Sequence, residues 1–303
     1  MRVFVTGASG FIGSAVVPEL VRAGHQVVGL ARSDASAAAI QAVGGDVLRG
    51  GLDDLDGLRA GAQASDGVIH LAFIHDFANF AQASQVDQRA IETLGGALEG
   101  TNKPLVVASG LLGLTPGRIA SERDDPNPNA SPRVAGVQTA LSFAERAVRT
   151  SIVRLPPTVH GEGDHGFVPR LIDIAREKGF AAYVGDGANR WPAVHRLDAA
   201  RLFRLALERA NAGSRLHAVG DGGVPIREVA GVIGRRLGIP VVSKSAAEAG
   251  DYFGFLAHMI ALDLPCSCEI TRAELGWATS ELGLVADLDR DHYFAPGKRS
   301  ALL

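Results

Sequence analysis

Along the first half of the chain, short β-branched runs alternate with longer stretches whose apolar positions recur every three to four residues. The pattern predicts strands at 2–6, 26–31, 46–48, 68–71, 105–109 and 151–155. It predicts helices at 12–23 and 34–43, a short one reaching 62 after a turn at 50–54, and further helices at 79–99 and 136–149. The first helix gathers Val16, Val17, Leu20 and Val21 on one face. Strands alternating with helices in this way describe a parallel sheet covered by helices. The second half is less regular. A glycine- and charge-rich loop at 161–166 precedes a helix at 168–178. The stretch 198–211 is amphipathic, with Ala199, Leu202, Phe203, Leu205 and Ala206 as its apolar stripe. A last helix at 226–237 ends at Gly238, as helices often do.

Composition narrows the class. The 303 residues are 47% hydrophobic and 21% charged, enough for one large domain or two modest ones. A net charge of −3, with both signs interspersed, argues against a nucleic-acid partner. No apolar run approaches the roughly 18 residues of a membrane span. Met1–Val5 opens as a strand and not as a secretory leader. Cys266 and Cys268 are too close for a relaxed bridge and lack companion zinc ligands, so they read as reduced thiols and the expected location is cytoplasmic. The chain has three Tyr (Tyr183, Tyr252, Tyr293), and Lys supplies only four of its 30 basic residues. None of these Tyr or Lys lies between 104 and 177.

The strongest motif is Thr6-Gly7-Ala8-Ser9-Gly10-Phe11-Ile12-Gly13, at the first strand–helix junction. A dinucleotide fingerprint belongs there: glycines for the tight turn, for backbone approach to a pyrophosphate and for helix–strand packing. The helix N-terminal N–H groups then receive the phosphate charge. The second strand ends Ala31-Arg32-Ser33, where a carboxylate would hold an NAD ribose and an Arg accommodates a 2′-phosphate. NADP(H) is therefore the expected cofactor, with Asp34 as the alternative ribose partner.

With these motifs in order, the chain resembles the extended short-chain dehydrogenase/reductase family, which includes NAD(P)-dependent epimerases and dehydratases. The resemblance rests on the glycine loop, Val68-Ile-His-Leu-Ala72, Val106-Val-Ala-Ser109, Arg154-Leu-Pro-Pro-Thr-Val-His-Gly161 and Trp191-Pro-Ala-Val-His-Arg-Leu-Asp-Ala-Ala200. It covers about residues 1–210 and implies an α/β fold, a Rossmann-type doubly wound parallel sheet with a smaller C-terminal lobe. The expected division is 1–158 for the dinucleotide domain, 193–218 returning to it, and 159–192 with 219–303 for the substrate lobe. Implied cofactor contacts are Gly7, Ser9, Gly10, Phe11, Ile12, Gly13, Arg32, Ser33, Leu71, Ala72, Phe73 and Ser109, with Pro157 and Val159 near the nicotinamide. The segment after strand six is expected to return to the sheet, with Asp198 capping the next helix and His195 tying its strand in place.

The family's active site pairs a Ser with Tyr-x-x-x-Lys. Glu145 sets the register of the helix that would carry the pair, putting Val137 at the Tyr position and Leu141 at the Lys position. A phenol that passes a proton and an ammonium that lowers its pKa are both missing. Asp87 also stands where an Asn usually steadies the fourth helix.

Ser109 remains for the substrate, although a Ser at a strand end equally makes a local turn bond. His75, His165 and Tyr183 are the candidates to replace the acid, with Asp76, His160, Glu162 and Asp164 nearby in sequence. Asp164, His165 and Glu162 in one loop make a weak metal set, and no metal is expected. His70, on an apolar strand, reads as packed. Phe73, Phe77, Phe80, the 252–256 segment and Met259 suggest an apolar or aromatic ligand, or else core; Arg170, Arg190 and Trp191 suggest an anionic or flat group, or else surface.

The expected activity is an NADP(H)-dependent reductase of a small, rather apolar carbonyl or enone with non-standard proton delivery. The expected partners are a small-molecule substrate and at most a second copy of the chain. The alternatives are a non-catalytic nucleotide sensor or scaffold, and a non-redox isomerase or lyase on the same fold.

Overall fold

In the computed structural model, residues 1–76, 78–114, 117–129 and 131–295 are described. Strands β1 (Arg2–Thr6), β2 (Gln26–Ala31), β3 (Asp46–Arg49), β4 (Gly67–His70), β5 (Pro104–Gly110) and β6 (Arg149–Leu155) alternate with α1 (Gly13–Arg22), α2 (Asp34–Ala42), α3 (Leu55–Gln63), α4 (Phe80–Leu98) and α5 (Val134–Ser142). After them come β7 (Thr158–His160), α6 (Phe167–Lys178), β8 (Ala181–Val184), β9 (Arg190–His195), α7 (Arg196–Arg209), β10 (Ser214–His217), β11 (Asp221–Pro225), α8 (Ile226–Leu237) and β12 (Val241–Lys244). The C-terminal part holds four short helices, α9 (Ala249–Phe253), α10 (Ala257–Ile260), α11 (Glu269–Leu275) and α12 (Leu284–Leu288).

Seven strands form one sheet in the order β3-β2-β1-β4-β5-β6-β10, with every pairing parallel. This is the Rossmann order, in which ligands bind at the strands' C-terminal ends where the winding reverses, between β1 and β4. Strand alternation assigns the two faces. Val3, Val5, Ile69, Val106, Ala108 and Leu216 pack with α1 and α7. Phe4, Val68, Leu105, Val107 and Ile152 pack with α3, α4 and α5 on the opposite face. By the same alternation Thr6, His70 and Ser109 sit on the α4–α5 side, at the functional edge.

Three local expectations change. The helix expected over 136–149 ends as an α-helix at Ser142, passes through a 3₁₀ turn (Phe143–Arg146) and stops at Ala147, whose φ is +52°. Val148 closes that turn on the Phe143 carbonyl, while Gly100 and Asn102 of the α4–β5 turn take the carbonyls of Arg146 and Ala147. Those tertiary bonds end the helix early and let β6 begin at Arg149. Second, β9 does not enter the large sheet. It pairs in parallel with β7 and antiparallel with β11; only β10 joins the sheet edge. Third, His195 and not Asp198 caps α7, its Nδ1 accepting from the Leu197 N–H at 3.3 Å. Asp198 instead accepts from the backbone N–H groups of Ser280 and Glu281, tying the C-terminal segment to α7.

A second core, including Val168, Ile172, Trp191, Ile226, Ile233, Tyr252, Phe253 and Leu256, lies under α6, α8 and the two-stranded β8–β12 sheet. Among the described residues, no helix is long and apolar enough to cross a membrane. Cys266 and Cys268 are free and buried, and burial pushes the Cys266 thiol up to about 12.

Candidate functional site

The glycine loop is built by sterics. Gly7 has φ +68°, and a Cβ there would lie 2.7 Å from the Ala72 N. A Cβ on Gly13 would lie 2.0 Å from the Gly7 carbonyl oxygen. Only glycine lets α1 start this close to β1 and β4. α1 has no side-chain cap and no acidic residue in its first turn, so its positive end is left for an anion. At the end of β2, Arg32 is exposed, and Ser33 caps α2 by accepting from the Ser36 N–H at 3.2 Å. Asp34, the alternative ribose partner, is ion-paired with Arg49 at the end of β3.

Thr6 begins a buried polar chain. The Ala72 N–H donates to the Thr6 hydroxyl at 3.3 Å, which lies 2.8 Å from the His70 Nδ1. The His70 Nε2 lies 3.1 Å from an Asp87 carboxylate oxygen. A carboxylate can only accept, so Nε2 carries the proton and Nδ1 accepts from Thr6. His70 is thus a fully bonded member of a polar network, which is more than the packed residue its apolar strand suggested. The second Asp87 oxygen lies 3.5 Å from the Arg133 Nε.

Arg133 is the residue that sequence reasoning missed. It stands at the start of α5, four residues before Val137, and so on the same helix face. Its guanidinium lies 4.0 Å over the Phe73 ring, and its Nη2 donates to the Ala108 carbonyl at 3.1 Å. Burial pushes its pKa down while Asp87 opposes that shift. The signal was Asp87 itself: a buried carboxylate in place of a neutral amide calls for a counter-charge. Val137, at the expected Tyr position, is buried in the α4–α5 core with Leu141 packed beside it.

Ser109, next to the Arg133-bonded Ala108, is buried at the end of β5. The Phe73 ring meets His75 edge-on at 5.2 Å and Phe80 at 5.6 Å. Desolvation, and then the charge of Arg133, push His75 below its usual range. His165 is close enough to act on the same group, and its ring meets Phe11 of the glycine loop at 5.5 Å. The fold therefore brings Phe11, His165, His75, Phe73 and Arg133 into one wall at the edge of the large sheet.

Other candidates go elsewhere. Tyr183 lies on β8 in the second core, packed over Gly187. Asp76 accepts from the backbone of Ala78 and Asn79 and from the Asn79 side chain, shaping the turn before α4. Arg190 forms a two-pronged pair with Asp263, at 3.0 and 2.8 Å. Tyr252, Phe253 and Leu256 are core, the alternative the sequence offered for them, as is Trp191, while Phe73 and Phe80 meet at the sheet edge. Phe77 lies outside the described residues. Pro157 lies in the turn into β7 and Val159 within β7, and both are half-buried. Among the described residues, no three His, Cys, Asp or Glu side chains converge on a metal position.

Tyr293 enters this region from the far end of the chain. The Gly161 N–H donates to its hydroxyl at 3.1 Å, and that hydroxyl donates to an Asp164 oxygen at 3.1 Å. The other Asp164 oxygen accepts from the Gly166 N–H at 2.8 Å. Burial nevertheless lifts the Asp164 carboxyl to about 6.

Comparison with known proteins agrees with this architecture. The model of the "NAD dependent epimerase/dehydratase family" matches residues 3–220. An uncharacterized protein of Schizosaccharomyces pombe is 51% identical over 97% of this chain and 100% of its own length. A 4-hydroxy-2-methyl-3-oxo-4-farnesyl-3,4-dihydroquinoline-1-oxide ketoreductase of Stigmatella aurantiaca is 30% identical, over 70% of this chain and 66% of its own. A dTDP-glucose 4,6-dehydratase from Streptomyces venezuelae, solved with NAD, shares the fold at a TM-score of 0.76 and 22% identity, covering 97% of both chains. The chain belongs to the NAD dependent epimerase/dehydratase family, a group of Rossmann-fold enzymes with oxidoreductase-type chemistry.

Proposed function

We propose that this protein is an NADP(H)-dependent reductase of a small carbonyl or enone, in which Ser109 and Arg133 serve the reacting oxygen in place of the family's Tyr and Lys. The reading is carried by the Arg133 guanidinium, held over Phe73 and beside β5 one helical turn ahead of Val137. The residues suit a dinucleotide: the cradle at Gly7 and Gly13 has no room for a Cβ, and the uncapped start of α1 suits a diphosphate. Arg32 and Ser33 would receive a 2′-phosphate, since Asp34 is occupied by Arg49. Leu71, Ala72 and Phe73 would border the ribose and adenine, and Pro157 and Val159 the nicotinamide. Residues 159–192 and 219–303 would contribute the substrate lobe.

When bound, the reduced nicotinamide supplies a hydride. The Ser109 hydroxyl donates to the carbonyl oxygen, and the Arg133 cation stabilises the negative charge that develops there. A fixed cation at a partly dry edge is worth far more than one in water. Asp87 and the Ala108 carbonyl hold that cation in place. The proton that completes the alcohol would come from solvent, relayed to the Ser109-bonded oxygen by His75 and His165, which flank the same edge.

The test is NADPH oxidation with a panel of ketones, quinones and enones, for the wild type and for Arg133→Gln. The variant should lose about 10²–10³-fold in kcat, the usual effect of removing one oxyanion donor, and still bind NADPH. Unchanged kcat would remove Arg133 from the chemistry. Tight NADPH binding without turnover on any compound would favour a non-catalytic nucleotide-binding protein.

A further inference from the structure

A cavity of about 200 Å³ opens beside the glycine loop, between the loop after β7, helix α6 and the C-terminal segment. Asp164 and His165 line it from the loop, Pro169 and Ile172 from α6, and His292 and Tyr293 from the C-terminal segment. His165, which lines the cavity, also packs against Phe11 of the dinucleotide loop at 5.5 Å and lies close enough to His75 to act on its charge. Its volume slightly exceeds the roughly 150 Å³ that accommodates benzene in an engineered cavity. A compact ligand fits; a nucleotide-sized one does not. The walls are partly polar, with Asp164, Tyr293 and the Asp173–Arg176 ion pair among the lining residues.

Asp164 is the built element. The Gly161 N–H → Tyr293 O–H → Asp164 chain and the Gly166 N–H fix both carboxylate oxygens, each of which retains one lone-pair direction. Resting on the reductase reading, we infer that this cavity holds a second oxygen of the substrate, a hydroxyl that donates to Asp164, so that the substrate class is a small hydroxy-carbonyl compound. Tyr293 is a positioning residue that orients the carboxylate. The groups facing Asp164 are Tyr293, with His292 beside it, and His160, paired with Asp287 at 2.8 Å. His165 acts from the same loop, and Asp173 and Arg176 of α6 line the same cavity. The carboxyl lies at about 6, so at pH 7.5 it is the acceptor this role needs.

The experiment compares 2-hydroxycyclohexanone with cyclohexanone, two ring ketones of nearly equal size that differ by one hydroxyl. NADPH binding to the wild type is measured first by fluorescence. Without it, both the dinucleotide reading and this assignment fall. With NADPH bound, kcat/KM at pH 7.5 should favour the hydroxyketone by about tenfold or more, because the analogue displaces water from the remaining Asp164 acceptor directions without replacing its hydrogen bond. Asp164→Leu should abolish that preference through KM, and Asp164→Asn, whose amide oxygen still accepts, should restore part of it. Tyr293→Phe should shift the pH at which the preference disappears to higher values, since it removes a donor to the carboxylate; a purely structural role would not move it. Saturation-transfer NMR of 2-hydroxycyclohexanone on the NADP⁺-loaded protein reads binding without turnover and should vanish in Asp164→Leu. Circular dichroism confirms that each variant is folded. Equal preference in wild type and Asp164→Leu, preference for cyclohexanone, or no turnover of either ketone by NADPH-loaded protein would each overturn the assignment while leaving the dinucleotide reading intact.

Discussion

Asp87→Asn is the sharpest test of the buried network, because Asn is the residue expected at that position and differs from Asp by one charge. Asp87 is 2% exposed and has two partners, His70 at 3.1 Å and Arg133 at 3.5 Å. An amide can still accept from the His70 Nε2–H through its oxygen, but its NH₂ then faces the guanidinium, and a half-buried cation loses its counter-charge. Breaking a fully buried pair costs about 3–5 kcal/mol. Arg133 is 23% exposed and the contact is long, so a loss of about 2–3 kcal/mol is expected here. That is a sizeable part of the roughly 5–15 kcal/mol available to a folded protein. The assay is urea unfolding of wild type, Asp87→Asn, Arg133→Met and the double variant. Removing the cation should make the Asn harmless, giving a coupling energy of about 1.5–3 kcal/mol. A coupling below about 0.5 kcal/mol would refute the claim that Asp87 exists to hold Arg133.

Other outcomes follow from the same geometry. Ser109→Ala should lower turnover by about 10²-fold if its hydroxyl donates to the reacting oxygen, with NADPH affinity nearly intact; unchanged turnover would leave Ser109 a structural residue. Arg32→Asp should move the ratio of NADPH to NADH affinity by about 10–100-fold toward NADH, the worth of hydrogen bonds to a charged phosphate, as read by fluorescence titration. Gly13→Ala, whose Cβ would meet the Gly7 oxygen at 2.0 Å, should abolish dinucleotide binding. Gly10→Ala, with its nearest contact at 3.3 Å, should be milder, and equal effects would count against the steric account. Because the Asp164 carboxyl lies at about 6 when folded and at 3.8 as a free side chain, the folded state binds more protons between those values. Stability should therefore fall as pH rises from about 4 to 6, by up to about 3 kcal/mol. Urea unfolding of Asp164→Asn across that window should lack the slope.

What the chain determined by itself was local. The alternation of strands and helices through β6, the junction at Gly7–Gly13 and the end of β2 at Arg32 are all written within windows of about ten residues, where periodicity and glycine sterics act. The absence of Tyr and Lys between 104 and 177 is likewise a property of the sequence alone.

What tertiary structure decided were matters of long range. β7, β8, β9, β11 and β12 are three to six residues long and carry too few positions for a period to show. Helix α5 ends where carbonyls of its following turn bond to Gly100 and Asn102, some forty-five residues away in the chain. Arg133, in a Ser-Pro-Arg segment, looks like any surface cation until the fold sets it on Phe73 and beside Asp87. Tyr293 lies in no motif of the sequence, yet the C-terminal segment returns it to Gly161 and Asp164. Burial of a charge or a phenol depends on which distant segments close over it, so the same residue that reads as solvated in sequence becomes, once desolvated, a fixed and chemically useful group.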